Sequence, residues 1–439
     1  MSAVFAALSV RNYRIYAAGA LVSNTGTWMG RVAQDWVVLT QLTQGSAQAL
    51  GIVTGLQFLP MLLFAPIGGA LSDRFAKRRV MFASQAVMAA TAVLMGVLVI
   101  SGSMQLWQMY VLAFVQGSAA ALDAPARQAF VSELVPPERL TNAVGLNSAS
   151  FNSGRLIGPA LAGLLIAAVG TGPTLIVNAA TFVAVMIALA LLDPAHLRPS
   201  PRSRGRGQIR EGIRYVRGRP DILLIMALVF VHGTFGMNFQ LTNALMATEV
   251  FGRGVVEFGL LGSVMAIGSL AGALLAAKRE RPRWRMLLGS MAGFTVCTAL
   301  LAMAPTYIWY AVLLAPTGLC ALTVMVTANS MVQLSVDAHV RGRVMSLYMA
   351  VFFGGTPLGA PVIGWIGDEF GARWTIGIAT LMCGLAVVAA TLYLMRIDDL
   401  HMRRGPTLRE PMVLRRGPAP PAAQDGGADV RHDIPEQAR

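Results

Sequence analysis

Charge is what this sequence has least of. Only 13% of its 439 residues are Asp, Glu, Lys or Arg, against 55% hydrophobic, and the mean hydropathy is +0.60. A soluble domain of that length needs more surface charge, so the composition excludes one and points to a polytopic membrane protein. Lysine is nearly absent. Lys77 and Lys278 are the two present, and neither follows a glycine, which excludes a Walker-type phosphate loop and ATP-driven pumping by this chain alone. The five histidines form no paired zinc motif, and only His232 falls inside an apolar stretch. Cys297, Cys320 and Cys383 lie in apolar stretches without metal-ligand spacing, and read as small buried hydrophobes. No nucleophile–base pair stands out, so the chain is not expected to be an enzyme or to carry a cofactor or metal. A cleavable signal peptide is not expected either, because the first apolar segment is long and lacks a small-residue cleavage site.

What is abundant is arginine, and its placement matters more than its number. The net charge is +14 and the pI about 10.7, values that would suggest nucleic acid in a soluble protein. Here every Lys and Arg except Arg31, Arg155, Arg253 and Arg373 falls in segments on one side of an alternating series of apolar spans. That is the positive-inside bias, and it makes nucleic acid a poor partner and the basic side cytoplasmic. Twelve spans are predicted, at about 15–40, 48–71, 80–101, 104–123, 143–169, 173–192, 222–247, 256–277, 285–304, 306–329, 343–367 and 373–395. An even number leaves both termini cytoplasmic in a multi-pass protein of the plasma membrane. The predicted class is an all-α membrane protein with twelve transmembrane helices in two six-helix halves. Residues 1–192 form the first half, 193–221 a basic linker with a short surface helix at Gln208–Arg219, and 222–403 the second half. Residues 404–439, rich in Pro, Gly, Ala and charge, read as a disordered tail.

The chain is organised around Gly69-Ala-Leu-Ser-Asp73-Arg74-Phe-Ala-Lys-Arg78-Arg79, a tight basic turn between the second and third spans. It resembles the signature loop of the major facilitator superfamily of secondary transporters, with Ala76 where that family usually has glycine. The resemblance implies two parallel halves, each with an inverted repeat. It also implies that Gly69, Asp73, Arg74 and Arg78 form a conformational latch, in which Asp73 engages Arg127 and the start of span 11 near Gly342. Acid-and-base clusters at Asp123–Gln128 and Asp337–Arg343 lie on the same side. Ordinary capping and topology charge is the alternative reading of all of them.

Within the spans, Asn24, Trp28, Arg31 and Asp35 recur at helical spacing and share one face. Charges in hydrocarbon should face the bundle interior, and Arg31 and Asp35, four apart, are placed to pair. Asp35 reads equally as a structural ion-pair member or as a proton carrier. Arg155 is open between an anionic substrate and an acid such as Asp35 or Asp123. Gly154, Gly158, Pro159 and Gly163 in span 5 resemble the Gly-Pro motif of drug–proton antiporters, with Leu164 in place of the second terminal glycine; the resemblance implies export. Small-residue helix packing explains the same residues without it. Polar residues in apolar helices give a candidate cavity lining: Asn24, Trp28, Gln116, Asn238, Gln240 and Asn329.

The combination resembles the siderophore-exporter and macrolide-efflux branch of the superfamily. It implies a monomeric carrier that exports a small organic molecule in exchange for protons by alternating access. A proton-coupled uptake carrier for a metabolite, or a membrane scaffold or sensor signalling through its linker and tail, remains the alternative.

Overall fold

The computed structural model describes residues 3–198, 208–277, 282–337 and 340–397, with the backbone alone described in 65–73. The tail from 404 and much of the linker therefore lie outside the described residues. Among those described there is no strand. The chain forms α1 (Arg11–Trp36), α2 (Ala47–Arg74), α3 (Lys77–Ile100), α4 (Leu106–Leu134), α5 (Leu140–Val169) and α6 (Thr171–Ala190). A short α7 (Gln208–Arg217) follows, then α8 (Pro220–Val231), α9 (Phe239–Leu245), α10 (Val255–Ala277), α11 (Trp284–Ala302), α12 (Tyr307–Ser335), α13 (Arg341–Phe370) and α14 (Ala372–Ile397).

Two departures from the predicted spans have local causes. The fourth helix continues to Leu134 rather than stopping near 123, so Asp123, Pro125 and Arg127 are helical. Asp123 and Arg127, four residues apart, pair with each other, and that neutralisation lets the helix carry both charges. The seventh span is not one helix. After α8 it widens into a π-helical turn at His232–Gly236, breaks at Met237 and Asn238, resumes as α9 and ends in a second π turn at Met246–Val250. Two glycines within five residues, His232-Gly-Thr-Phe-Gly236, supply the weak point, and such bulges localise kinks.

Among the described residues, ten stretches are long and apolar enough to cross a membrane by hydropathy, and the two long helices that fall short are α1 and α4. Those two carry Arg31, Asp35, Gln116 and Asp123. They are packed by neighbours on several sides, α1 by α5 and α6, α4 by α2 and α3. Exposed apolar side chains occur on both, such as Val22 and Val111, and are frequent on other helices, as at Leu274, Trp309, Leu381 and Leu392.

The helices up to α6 pack mainly on one another, as do those from α8 onward. Two seams join the groups, α2 against α13 and α5 against α10. Both seams need small residues. A Cβ on Gly51 would sit 2.3 Å from the Ala360 carbonyl oxygen across the first. A Cβ on Gly259 would sit 2.3 Å from the Pro159 carbonyl oxygen across the second. In lipid, close backbone approach of this kind is a main source of helix association.

The same logic holds inside the second group, where a Cβ on Gly268 would lie 1.8 Å from the carbonyl oxygen of Ala315. Gly268→Ala is expected to cost about 1–3 kcal/mol by overpacking, and Gly289→Ala, with open space at its Cβ, to be neutral or stabilising by up to about 1 kcal/mol. Thermal unfolding of the two purified variants in detergent checks both.

Candidate transport site

The two groups are sealed at the face opposite the arginine-rich loops. Asp368, near the end of α13, reaches across to the start of α2. Its carboxylate accepts hydrogen bonds from the Ala47 N–H (2.6 Å), the Gln48 N–H (3.0 Å) and the Ser46 hydroxyl (3.0 Å). It therefore caps the N-terminus of a helix in the other group. Free N–H groups and the positive end of the helix dipole both favour a carboxylate there, and a cap contributes about 0.5–2 kcal/mol. Next to it, Trp36 of α1 stacks on Phe258 of α10, with ring centroids 6.3 Å apart and planes 18° apart. Ser263 of α10 donates to the Leu156 carbonyl of α5 at 2.6 Å.

Just beneath this seal lies Asp35. It is 1% exposed, and neither carboxylate oxygen has a hydrogen-bond partner. The predicted pair with Arg31 does not form. The amide of Gln240, from α9 in the other group, acts on the carboxylate ahead of Arg31, though its nitrogen also lacks a bond of good geometry. Asp35 and Gln240 thus meet across the boundary between the groups.

One turn deeper, Arg31 has turned to aromatic faces. Its guanidinium carbon lies 5.0 Å from the Trp28 ring centroid and 4.8 Å from that of Phe58. Arg155 of α5 lies 5.7 Å from the same indole, and Phe151 meets Trp28 edge-on. Both arginines are partly solvent-accessible. Beside them runs a chain of amides. Gln57 donates to Gln34 at 2.9 Å, and Gln34 donates to Gln116 at 2.7 Å. Sequence polarity singled out Gln116 but missed Gln34 and Gln57, whose only signal was an amide in an apolar helix.

The span-5 motif faces two ways. Gly154 and Gly158 abut α1, where a Cβ would meet the Asn24 carbonyl carbon at 2.7 Å and the Trp28 Cβ at 2.7 Å. Pro159 and Gly163 abut α10, where a Cβ on Gly163 would meet the Val255 carbonyl oxygen at 2.8 Å. Asn24 donates to Ser150 at 3.0 Å, which ties α1 to α5 below the motif. Asn329 accepts from Gln333 on its own helix at 2.7 Å. Asn238 sits at the break in the seventh span and donates to the Thr234 carbonyl at 2.7 Å. It lines a small recess with Phe239, Thr375 and Ile376, towards α14 and apart from the arginines.

At the arginine-rich face, several of the described charges pair within their own group. Arg127 donates to Asp123 at 2.8 Å, and Gln85 donates to the same carboxylate at 3.2 Å. Lys77 pairs with Glu133 at 2.5 Å, and Arg78 donates to the Ala190 carbonyl at 3.1 Å. Outside the spans, the Ala195 N–H and then His196 hold the Asp193 carboxyl below its usual range, and hydrogen bonding to Asp221 raises Arg219. Arg219 also donates to Tyr215 and to the Ser335 carbonyl, both at 3.1 Å. Arg74 and Gly342 are exposed, and nothing lies within 4 Å of the Gly342 Cβ position. The side chains at Gly69 and Asp73, and so the predicted contact of Asp73, lie outside the described residues. The molecule is thus joined across its groups at the far face, with Asp123 and Arg127 bonded inside one of them.

Two helix groups around a polar middle, joined at one face, define a secondary transporter of the major facilitator fold. The chain belongs to the transmembrane secretion effector family of that superfamily, whose sequence profile matches residues 2–418. It is 28% identical over 401 residues to the multidrug efflux pump Tap of Mycolicibacterium fortuitum, covering 88% of this chain and 96% of that one. It is 25% identical over 370 residues to the staphyloferrin A transporter of Staphylococcus aureus, covering 84% and 91%. A bacterial homologue of the human lysosomal transporter Spinster, solved inward-facing and occupied, superposes with a TM-score of 0.69 at 15% identity, covering 90% of this chain and all of that one.

The cap on α2 gives a direct expectation. Asp368→Ala should move the population towards a form open at the far face, by roughly 3- to 30-fold for the loss of a cap. Spin labels at Ser103→Cys and Met303→Cys, one in each group at that face, should report a longer mean distance in the variant.

Proposed function

We propose that this protein exports a small drug-like or siderophore-like organic molecule across the plasma membrane, in exchange for protons, by alternating access. The arginine-rich face is then the cytoplasmic one and both termini lie there, because basic residues in short loops resist translocation. The observation that carries the reading is the position of Asp35. An ionisable side chain without a partner, buried between two helix groups that must separate for the far face to open, changes its surroundings whenever the carrier changes state. A carboxylate so placed is costly in lipid and is held where transport uses it. When the seal parts, Asp35 is wetted from outside and takes a proton. When the seal closes, it carries the proton inward, and water reaching the carboxyl from the cytoplasmic side accepts the proton there.

Export rather than uptake is supported by the Gly-Pro pattern of α5, which Gly154, Gly158, Pro159 and Gly163 build between α1 and α10. The likeness to the multidrug efflux pump Tap points the same way. The substrate occupies the space bordered by Trp28, Arg31 and Arg155, with the Gln34–Gln57–Gln116 amides beside it. Latch residues at the cytoplasmic face, Asp73 among them, close that side in the alternate state.

Everted membrane vesicles test this with a panel of dyes, antibiotics and siderophores. Accumulation of at least one compound should collapse on adding a protonophore. Asp35→Asn should abolish accumulation against a gradient yet keep exchange of labelled for unlabelled substrate. Accumulation by Asp35→Asn that still collapses with the protonophore would remove Asp35 as the carrier. Accumulation indifferent to the protonophore in the parent protein would remove proton coupling.

A further inference from the structure

We propose that Arg31 and Arg155, set against the faces of Trp28, form a binding site for organic anions, so that the transported molecule carries a carboxylate on a flat, largely apolar frame. The inference names a substrate class for the exporter proposed above and rests on that reading for the word transported.

Three observations converge. The first is the double occupancy of one indole. Two guanidiniums lie 5.0 and 5.7 Å from the Trp28 centroid, and Arg31 is also held 4.8 Å from Phe58. Each cation–π contact contributes roughly 0.5–2 kcal/mol, and neither supplies a negative charge. Like charges so placed repel: Arg31 lies first within the field of Asp35 and then within that of Arg155, which opposes it.

The second is the absence of a bonded counter-ion. Among the described residues, neither arginine has an ion pair or a hydrogen bond. The acids that could have served form no bond to them. Asp123 is bonded to Arg127 and Gln85. Asp35, one turn along, acts on Arg31 through space but forms no ion pair with it. Two cations without a bonded counter-ion inside the membrane helices are an expensive arrangement, and an anion arriving beside them relieves it.

The third is shape and donor chemistry. Each guanidinium presents five N–H donors in a planar fork that matches a carboxylate bidentately. Neither guanidinium spends a hydrogen bond on the protein among the described residues, so the donor edges of both forks are available to a ligand. Aromatic walls beside those edges suit a flat apolar frame carrying the carboxylate. A cation would meet the same two positive groups and be rejected, which is specificity by repulsion.

Two xanthene dyes of nearly the same frame and opposite charge provide the test: fluorescein, an anion with a carboxylate, and rhodamine 123, an ester-bearing cation. Loaded cells expressing the full chain should lose fluorescein faster than rhodamine 123. Arg31→Gln and Arg155→Gln should each slow fluorescein export by about 10-fold or more, the usual cost of losing a hydrogen bond to a charged group. Neither change should slow rhodamine 123. Arg155→Lys, which keeps the charge but not the fork, should fall between.

Faster export of the cation, or equal loss of both dyes in the variants, would overturn the proposal. If neither dye leaves the cells, fluorescence anisotropy of fluorescein with the purified chain in detergent decides the matter. Binding weakened about 10-fold by either Gln variant upholds the anion site while the export reading falls, and no binding to the parent protein removes the site. Arg155→Lys and the gel-filtration profile of each variant separate a lost site from a misfolded protein.

Discussion

A charged side chain inside a membrane must find a partner in the protein or an aqueous cavity, and most of this molecule can be understood from how its few interior charges meet that demand. Asp123 and Arg127 solve it within one helix turn, and Gln85 adds a donor from α3. Arg31 and Arg155 solve it only in part, by leaning on aromatic faces. Asp35 does not solve it at all in this state, since both its oxygens are without a bond. The satisfied pair belongs to the frame, and the unsatisfied groups cluster where the two helix groups face each other. This gradient of satisfaction separates scaffold from working parts more clearly than polarity alone does.

The join between the groups follows from the same economy of polar groups. A helix start leaves unpaired N–H groups, and Asp368 meets those of α2 from the other side of the boundary. A bond that would ordinarily belong to one helix has become a bond between two bodies. Each body must give up something to separate, because α2 loses its cap and Asp368 loses its donors. Water can replace both at the membrane surface, so the seal is strong enough to hold and weak enough to release.

Much of this was legible in the sequence. The all-helical, many-span pattern came from hydropathy, which depends only on composition along the chain. The shared face of Asn24, Trp28, Arg31 and Asp35 followed from helical spacing. Spacing could not say that Arg31 would prefer Trp28 and Phe58 to Asp35, because Phe58 arrives from another helix. It could not show the break in the seventh span, because glycines and scattered polar residues in a long apolar stretch do not say where the helix widens. Asp368 was passed over as one acid at a helix end. Its importance lies wholly in the N–H groups opposite, which no reading of its own neighbours in the chain supplies.

Helix α5 has a mechanical consequence. Its consecutive residues Gly158 and Pro159 bear on opposite neighbours, α1 on one side and α10 on the other. A helix gripped on both flanks at one level cannot spin without losing a grip, but it can tip. The grip then acts as a fulcrum near the middle of the helix, with an arm of roughly 15 Å or more to either end at 1.5 Å per residue. Tipping enlarges a displacement in proportion to that arm, so a shift too small to disturb packing at the fulcrum becomes a gap at the rim. Opening one mouth of the protein and narrowing the other are then a single movement of one lever.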